Sequence, residues 1–100
     1  MFARHVTVKG DAGRMAEVVR TQQEAVLPVL RDCVGFKAQL GLLDCATGEV
    51  IGLSLWDTKD SMEASEERVQ VVRQRVADSF GAGSPADVRL YEVPIFEVRS

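Results

Sequence analysis

The chain has 100 residues, a length that suits one compact domain, predicted here to span residues 1–100, and that excludes a second core of comparable size. Its net charge of −3, with acidic and basic residues interspersed, argues against a surface for nucleic acid or anionic membranes. Two cysteines without a C-x-x-C spacing, no apolar run near the ~20 residues of a membrane span and no leader-like opening predict a cytoplasmic protein.

The first third of the chain predicts a strand followed by a helix. Residues 2–8 alternate in polarity, and one face of this strand carries Phe2, Arg4, Val6 and Val8. Asp11 is a suitable N-cap for a helix whose apolar residues, from position 15 to position 30, keep the spacing of one helical face. Because Pro28 cannot donate a backbone hydrogen bond, we expect a kink or a tight turn before Cys33.

The rest of the chain predicts a hairpin, a second helix and a final strand. The strands of the hairpin are residues 36–44 and 50–56, with Gly48 in the short connection. The helix is predicted to begin after Asp57 and Thr58, which offer an N-cap, and to stop at Gly81. Residues 87–98 alternate again, although Pro94 must lie at an edge or a break in the sheet.

The order strand, helix, strand, strand, helix, strand predicts an α+β fold, the ferredoxin-like βαββαβ arrangement, with an antiparallel sheet and both helices on one of its faces. The hairpin carries apolar residues on both parities, so the face of the sheet without helices is also apolar. An antiparallel sheet with one face in water normally has polar residues on that face. We therefore expect a homodimer, a dimeric α/β barrel, in which a second copy covers the open face.

Polar residues within the predicted apolar stripes of the two helices are candidates for binding. Gln22 falls in the middle of the first stripe, Ser65 falls within the second, and Arg73 lies at the margin of the second. These groups either line a cavity for a small molecule or have structural roles: Gln22 bonded within a dry core, Ser65 bonded to its own helix, and Arg73 extended to solvent.

Three ring side chains are further candidates. His5, the single histidine, lies on the face of its strand opposite Phe2 and is chemically suited to act as a general base. Trp56 and Tyr91 suit either packing or the wall of a pocket. One histidine without clustered thiols or carboxylates does not predict a metal site.

The sequence resembles the antibiotic biosynthesis monooxygenase family of dimeric α/β barrel proteins over nearly the whole chain. The resemblance rests on short motifs, which are the opening strand, Val34-Gly35-Phe36, Leu42-Leu43-Asp44 with Thr47-Gly48, Trp56-Asp57-Thr58, Ser65, Arg73 and Tyr91-Glu92-Val93. It implies a homodimer with a pocket in each subunit, in which a phenolic substrate is oxidised by O2 without metal, haem or flavin. His5 and Tyr91 would be the catalytic candidates, and Gln22, Trp56, Ser65 and Arg73 would bind the substrate.

Several alternatives are weighed against this function. A non-catalytic dimeric module of the same fold, which binds a small apolar ligand or only assembles, stays open. The haem-degrading branch that resembles the family uses a histidine in the second helix, and residues 59–80 contain none. An RNA-binding module of the same strand order is disfavoured by the acidic charge, and a metal chaperone by the absence of paired cysteines after the first strand. Whether residues 94–100 cross to the partner is not predicted.

Overall fold

One antiparallel sheet organises residues 1–99, which are the residues that the computed structural model describes; residue 100 of the predicted domain lies outside them. Its strands are β1 (Phe2–Lys9), β2 (Phe36–Asp44), β3 (Glu49–Trp56) and β4 (Asp87–Glu92), in the spatial order β2-β3-β1-β4. The helical segments connect β1 to β2 and β3 to β4. The predicted α+β fold with βαββαβ order is therefore confirmed.

The first helical region is not one regular α-helix. Asp11 accepts a hydrogen bond from the backbone N–H of Gly13 and starts a 3₁₀ turn, after which α1 (Met15–Thr21) begins. A π-helical turn (Gln22–Val26) then joins α1 to α2 (Leu27–Arg31). The wider turn precedes Pro28, which lies at the start of α2, where its missing N–H is tolerated. The tight turn predicted before Cys33 is present, since Cys33 donates its backbone N–H to the carbonyl of Leu30 at 3.0 Å, and the widened turn upstream of Pro28 is an addition that the sequence did not indicate.

The second helical connection follows the sequence signals closely. Helix α3 (Lys59–Ser79) begins after Thr58, whose hydroxyl accepts a hydrogen bond from the backbone N–H of Ser61. Its inner face carries the buried residues Met62, Ser65, Val69, Val72, Val76 and Ala77. Gly81, with φ of +67°, ends it as predicted. None of the helices within residues 1–99 has the length and apolar character that crossing a membrane requires.

A β-bulge at Lys37 changes the face on which β2 begins. Phe36 pairs with Trp56, whereas Ala38 pairs with Leu55, so one extra residue lies between the two pairs. Simple alternation puts Phe36 on the same face as Ala38, and the bulge overturns that interpretation. Phe36 instead packs edge-to-face on Trp56, with ring centroids 5.6 Å apart, on the helix side of the sheet.

The final strand is shorter than the alternation of residues 87–98 indicates. β4 ends at Glu92, and Val93 donates one further backbone hydrogen bond to the carbonyl of Met1 at 2.9 Å. Pro94 has no N–H with which to extend the ladder. Ile95 and Phe96 border a hollow on the open face of the sheet together with Ala3 and other residues of the same chain.

The turn between β2 and β3 depends on Gly48, which packs against the segment that follows β1. Gly48 has φ of +81°, and a Cβ at this position would come within 2.1 Å of the carbonyl oxygen of Gly10. We expect Gly48→Ala to lower the free energy of unfolding by about 2 kcal/mol or more, because both the backbone conformation and the contact are unfavourable. Urea unfolding measures this change.

Gly41→Ala is the matched control, since a Cβ at Gly41 meets nothing within 4 Å. It should leave the stability unchanged or raise it by up to about 1 kcal/mol. Equal stabilities for the two variants would contradict this account of the turn.

Candidate functional site

A cavity of about 50 Å³ lies between the sheet and the helices. Most of its wall is apolar and consists of valine side chains from β1, β3 and α3, together with Val26 and Leu30 from the first helical region. Five polar residues interrupt that wall, namely Arg4, Gln22, Gln39, Ser54 and Arg73. Small-molecule sites combine apolar walls with a few convergent polar groups in this way.

Three of the five polar residues form one row across the sheet. Ser54 pairs with Gln39 on one side and with Arg4 on the other, so the three occupy neighbouring strands at the same level. Residues directly opposite each other in an antiparallel sheet point to the same face. This register directs all three side chains toward the helices and makes a polar band across an otherwise apolar surface.

Arg4 is a buried cation, with a side chain only 2% exposed. Its Nη2 donates to the backbone carbonyl of Met62 at 2.5 Å and to the hydroxyl of Ser65 at 2.9 Å. Ser65 in turn donates to the same carbonyl at 2.7 Å. One turn of α3 therefore holds Nη2 of the guanidinium, whereas Nε and Nη1 make no hydrogen bond to that turn.

An aromatic ring supports the guanidinium of Arg4 from below. Its central carbon lies 5.4 Å from the ring centroid of Trp56, which is fully buried and donates through Nε1 to the hydroxyl of Ser54 at 2.9 Å. A cation over an indole face is stabilised by the quadrupole of the ring. Trp56 thus holds two members of the polar row, Arg4 by its face and Ser54 by its edge.

A single carboxylate, that of Glu66, lies against two guanidinium groups. Arg73 donates to both of its oxygen atoms, at 3.0 Å for Oε2, and Nε of Arg4 lies 3.8 Å from Oε1. Burial lowers the pKa of Arg4; the carboxylate of Glu66 opposes this effect, and the charge of Arg73 adds to it. A guanidinium stays protonated in proteins. The Arg4, Arg73 and Glu66 cluster consequently carries a net charge of about +1 and favours an anion.

Several buried polar atoms at the cavity have no hydrogen-bond partner among residues 1–99. The donors are Nε and Nη1 of Arg4 and Nε of Arg73, and the acceptor is Oε1 of Gln39. Buried polar groups are normally paired, because leaving one unpaired costs the energy of desolvating it. A bound group that presents oxygen atoms to the arginines would pair with these donors.

The structure divides the predicted binding residues into two groups. Gln22 and Arg73 line the cavity, whereas Ser65 and Trp56 lie behind Arg4 and position it. Ser65 does bond to its own helix, as the structural alternative required, but it also accepts from Arg4. Arg73 is 14% exposed and pairs with Glu66, so it does not extend to solvent.

The two predicted catalytic residues lie on the opposite face of the sheet. His5 pairs with Leu53 and Arg89, and Tyr91 pairs with Ala3, all on the open face. The rings of His5 and Tyr91 meet edge-to-face with centroids 6.3 Å apart. The two rings are close enough to belong to one site, but the sheet lies between them and the cavity.

Arg4, Gln39 and Ser54 are the polar cavity-lining residues that the sequence interpretation missed, and it also missed Glu66, whose carboxylate lies against both arginines. The signal for Arg4 was its parity, because a charged residue shares a face with Phe2, Val6 and Val8 in a strand whose apolar side faces the core. Gln39 shares the parity of Gly41 and Leu43 on β2. Glu66 had no comparable signal, since its role depends on the position of Arg4 across 62 residues of sequence.

A groove of about 290 Å³ adjoins the cavity on the side of β2. It runs between the first helical region and the edge of the sheet and shares Gln22, Gln39 and Val50 with the cavity. Gln22 is also the first residue of the π-helical turn, and such turns occur frequently at functional sites. The side chains of Gln22 and Gln39 therefore lie where the groove and the cavity meet.

Solved structures of the antibiotic biosynthesis monooxygenase fold superpose on nearly the whole chain. The monooxygenase from ActVA-Orf6 of Streptomyces coelicolor, solved with nanaomycin D, has a TM-score of 0.74 at 17% identity and covers 99% of this chain and 92% of that chain. A protein of Deinococcus radiodurans assigned to the antibiotic biosynthesis monooxygenases has a TM-score of 0.74 at 15% identity, with both chains fully covered. The chain thus has the fold that its sequence resemblance implied.

Sequence relatives add no activity to this assignment. Two uncharacterised proteins of Mycobacterium tuberculosis match: Rv2557 is 31% identical over 86 residues and Rv2558 is 32% identical over 84 residues. These regions are 86% and 84% of this chain but only 38% and 35% of those proteins, so the chain spans little more than a third of their length. No family model matches the chain.

The shared carboxylate makes a prediction about stability. Glu66→Gln removes the negative charge between Arg4 and Arg73, and we expect the free energy of unfolding to fall by about 1 kcal/mol, because Glu66 is partly exposed and solvent screens the pair. Chemical denaturation measures the loss. A second change, Arg73→Gln, should recover part of it by removing the uncompensated repulsion.

Glu63→Gln is the control on the same helix, where Lys59 lies 3.9 Å from an exposed carboxylate. It should change the stability by less than about 0.5 kcal/mol. A loss for Glu66→Gln no larger than that of Glu63→Gln would show that the arginines do not depend on this charge.

Proposed function

We propose that the protein is a cofactor-independent monooxygenase that oxidises a phenolic small molecule with O2 in the cavity between the sheet and the helices. The observation that supports this most directly is the pair of guanidinium groups at an apolar cavity, with donors that have no partner among the described residues. Such donors stabilise an oxygen anion most strongly where water is excluded.

The arginines supply the chemistry that a cofactor-free oxidation needs first. A neutral phenol is a poor electron donor, and its conjugate anion is a good one. Nε and Nη1 of Arg4 and Nε of Arg73 favour the phenolate over the phenol, since each belongs to a positively charged group and makes no hydrogen bond within residues 1–99, although Glu66 offsets part of the charge. Binding therefore promotes loss of the phenolic proton to solvent and activates the ring toward O2.

The reaction balances without another reductant. A phenol with a free para carbon and one O2 give a para-quinone and one water molecule: one oxygen atom forms the new carbonyl, and the other leaves with two hydrogen atoms from the substrate. The substrate supplies the four electrons that reduce O2, through its anion. The apolar wall of valines protects the reactive intermediates from water.

The volumes constrain the substrate. The cavity of about 50 Å³ is far below the ~300 Å³ of a typical ligand pocket, whereas the adjoining groove has about 290 Å³. We infer that the phenolic ring enters from the groove, with the remainder of the substrate outside Gln22 and Gln39.

His5 and Tyr91 remain predicted catalytic residues, but for a substrate bound on the open face of the sheet. On the open face they would reach a substrate held against the sheet there, not one held by Arg4. Substitutions on the two faces therefore separate the two locations.

Activity distinguishes these locations directly. We expect Arg4→Met to lower kcat/KM for oxygen uptake with a phenol that has a free para carbon, such as an anthrone in its phenolic form, by roughly 100-fold, the effect of removing an anion-stabilising donor. Arg4→Lys keeps the charge and should retain more activity, while Arg75→Met, at an exposed position of α3, should retain all of it. An oxygen electrode and quinone absorbance are the measurements.

His5→Ala and Tyr91→Phe complete the comparison. Loss of activity in these variants, with Arg4→Met unaffected and folded by circular dichroism, would locate the reaction on the open face and refute the role of the cavity.

A non-catalytic ligand-binding module is the second candidate, because the unpaired arginine donors would bind an oxygen anion whether or not it then reacts with O2. The same phenols would then raise the melting temperature in an Arg4-dependent manner without consuming O2. Turnover by the wild-type chain removes this candidate.

We also propose that a second copy covers the open face of the sheet. On β2 and β3 that face carries Ala38, Leu40, Leu42, Ile51, Leu53 and Leu55, and on β1 and β4 it is mostly polar. Leu40 is 53% exposed and Leu42 is 48% exposed in the single chain. A two-fold pairing of sheets covers these leucines with the same patch of another chain.

Leu40→Glu tests the pairing. We expect it to weaken self-association by at least about 100-fold, because a two-fold axis would bury two unpaired carboxylates. Light scattering over a concentration series measures the change. Val71→Glu, at a site 61% exposed on α3, is the control and should leave association unchanged; a monomeric wild-type chain would overturn the pairing.

A further inference from the structure

The cavity between the sheet and the helices has room for a ligand much smaller than a phenolic ring. At ~10–15 Å³ for each water-sized group, its volume of about 50 Å³ holds roughly four such groups. A phenolic ring with its oxygen atom is larger than this and has to reach into the adjoining groove. A two-carbon carboxylate such as acetate has four non-hydrogen atoms, so it is the size of ligand that fills the cavity by itself.

Hydrogen-bond donors reach the cavity from both layers of the fold. Nη1 of Arg4 comes from the sheet and Nε of Arg73 comes from α3, and neither makes a hydrogen bond within residues 1–99. The hydroxyl of Ser54 accepts from Nε1 of Trp56, which leaves its own hydrogen able to donate. The two oxygen atoms of one carboxylate have enough lone pairs for all three donors, and guanidinium groups are favoured partners of carboxylates.

The rest of the cavity wall suits an alkyl group. Valine side chains from β1, β3 and α3 make up most of it, with Leu30 beside them. A methyl group against these side chains is removed from water, which is favourable, whereas an inorganic anion would present only polar atoms to them. The combination of cations at one end and valines around the remainder therefore favours a short-chain carboxylate over an inorganic anion.

We propose that this cavity is a binding site for a short-chain carboxylate, with its oxygen atoms between Arg4 and Arg73 and its alkyl group against the valines. Glu66 already neutralises part of the charge of the two arginines, and the bound carboxylate neutralises the remainder. Gln39 is compatible with an anion, because a half-turn of its amide exchanges the acceptor for a donor. The site needs only the cavity and the arginines, so it does not depend on the oxidation of a phenol.

Fluorescence of Trp56 tests the site directly. Trp56 is the only tryptophan of the chain, and its ring lies 5.4 Å from the guanidinium carbon of Arg4. Sodium acetate is titrated into the full chain while sodium chloride keeps the ionic strength constant, and calorimetry in the same buffers gives an independent binding curve. We expect a saturable change with a dissociation constant on the order of 1 mM, because so few ligand atoms limit the affinity.

Two substitutions on α3 should change this affinity in opposite directions. Arg73→Gln removes a donor and a positive charge, and we expect it to weaken acetate binding by about tenfold. Glu66→Gln removes the carboxylate that repels the ligand, and it should tighten binding severalfold. The matched controls are Arg75→Gln and Glu63→Gln, at exposed positions of the same helix, and each should change the affinity by less than about twofold.

The outcomes separate this site from the proposed oxidation. A wild-type response no larger than that to sodium chloride alone would overturn the site, as would equal effects of Arg73→Gln and Arg75→Gln or weaker binding by Glu66→Gln. In the oxygen-uptake assay, acetate should raise KM for the phenol and leave kcat unchanged, because the phenolate uses the same donors. Acetate binding by a chain that oxidises no phenol would support the site while refuting the proposed function.

Discussion

The placement of a guanidinium inside an apolar layer is the constraint from which the site follows. Arg4 occupies a core position of a strand, where a charge is costly unless other groups compensate for it. Compensation comes from Ser65 and the carbonyl of Met62 on α3, from the face of Trp56, and at longer range from Glu66. The contacts with Met62, Ser65 and Glu66 fix α3 relative to the sheet, so the same residue sets both the packing of the layers and the charge of the cavity.

The protein does not satisfy every hydrogen-bond donor of the Arg4 guanidinium. The contacts from α3 and Trp56 occupy Nη2 and one face of the guanidinium of Arg4, and Glu66 is shared with Arg73. Nε and Nη1 are left without hydrogen-bond partners among the described residues, at the wall of the cavity. A purely structural arginine would be expected to have its donors satisfied. The unpaired donors therefore distinguish a binding role from a packing role better than burial alone does.

Secondary structure was predictable wherever local chemistry decides it. The Thr58 cap, the stop at Gly81 and the hairpin depend on neighbours within a few residues. The bulge at Lys37 and the π-helical turn were not predictable, since both accommodate packing across the layers. Gln22 and Ser65 were found because helical periodicity reports which side is buried. Glu66 was missed because its partner Arg4 is remote in sequence, and periodicity carries no information about such a pair.

The polar residues of the strands form two separate sets, one on each face of the sheet. On the helix side, strands β2, β3 and β1 supply one polar row, formed by Gln39, Ser54 and Arg4, and all three line the cavity. On the open side, His5, Arg89 and Tyr91 lie beside the leucines of the hairpin, where a second chain would bury them. The cations of the cavity are guanidinium groups, which stay protonated in proteins, so the charge that favours an anion there does not depend on the pairing of chains.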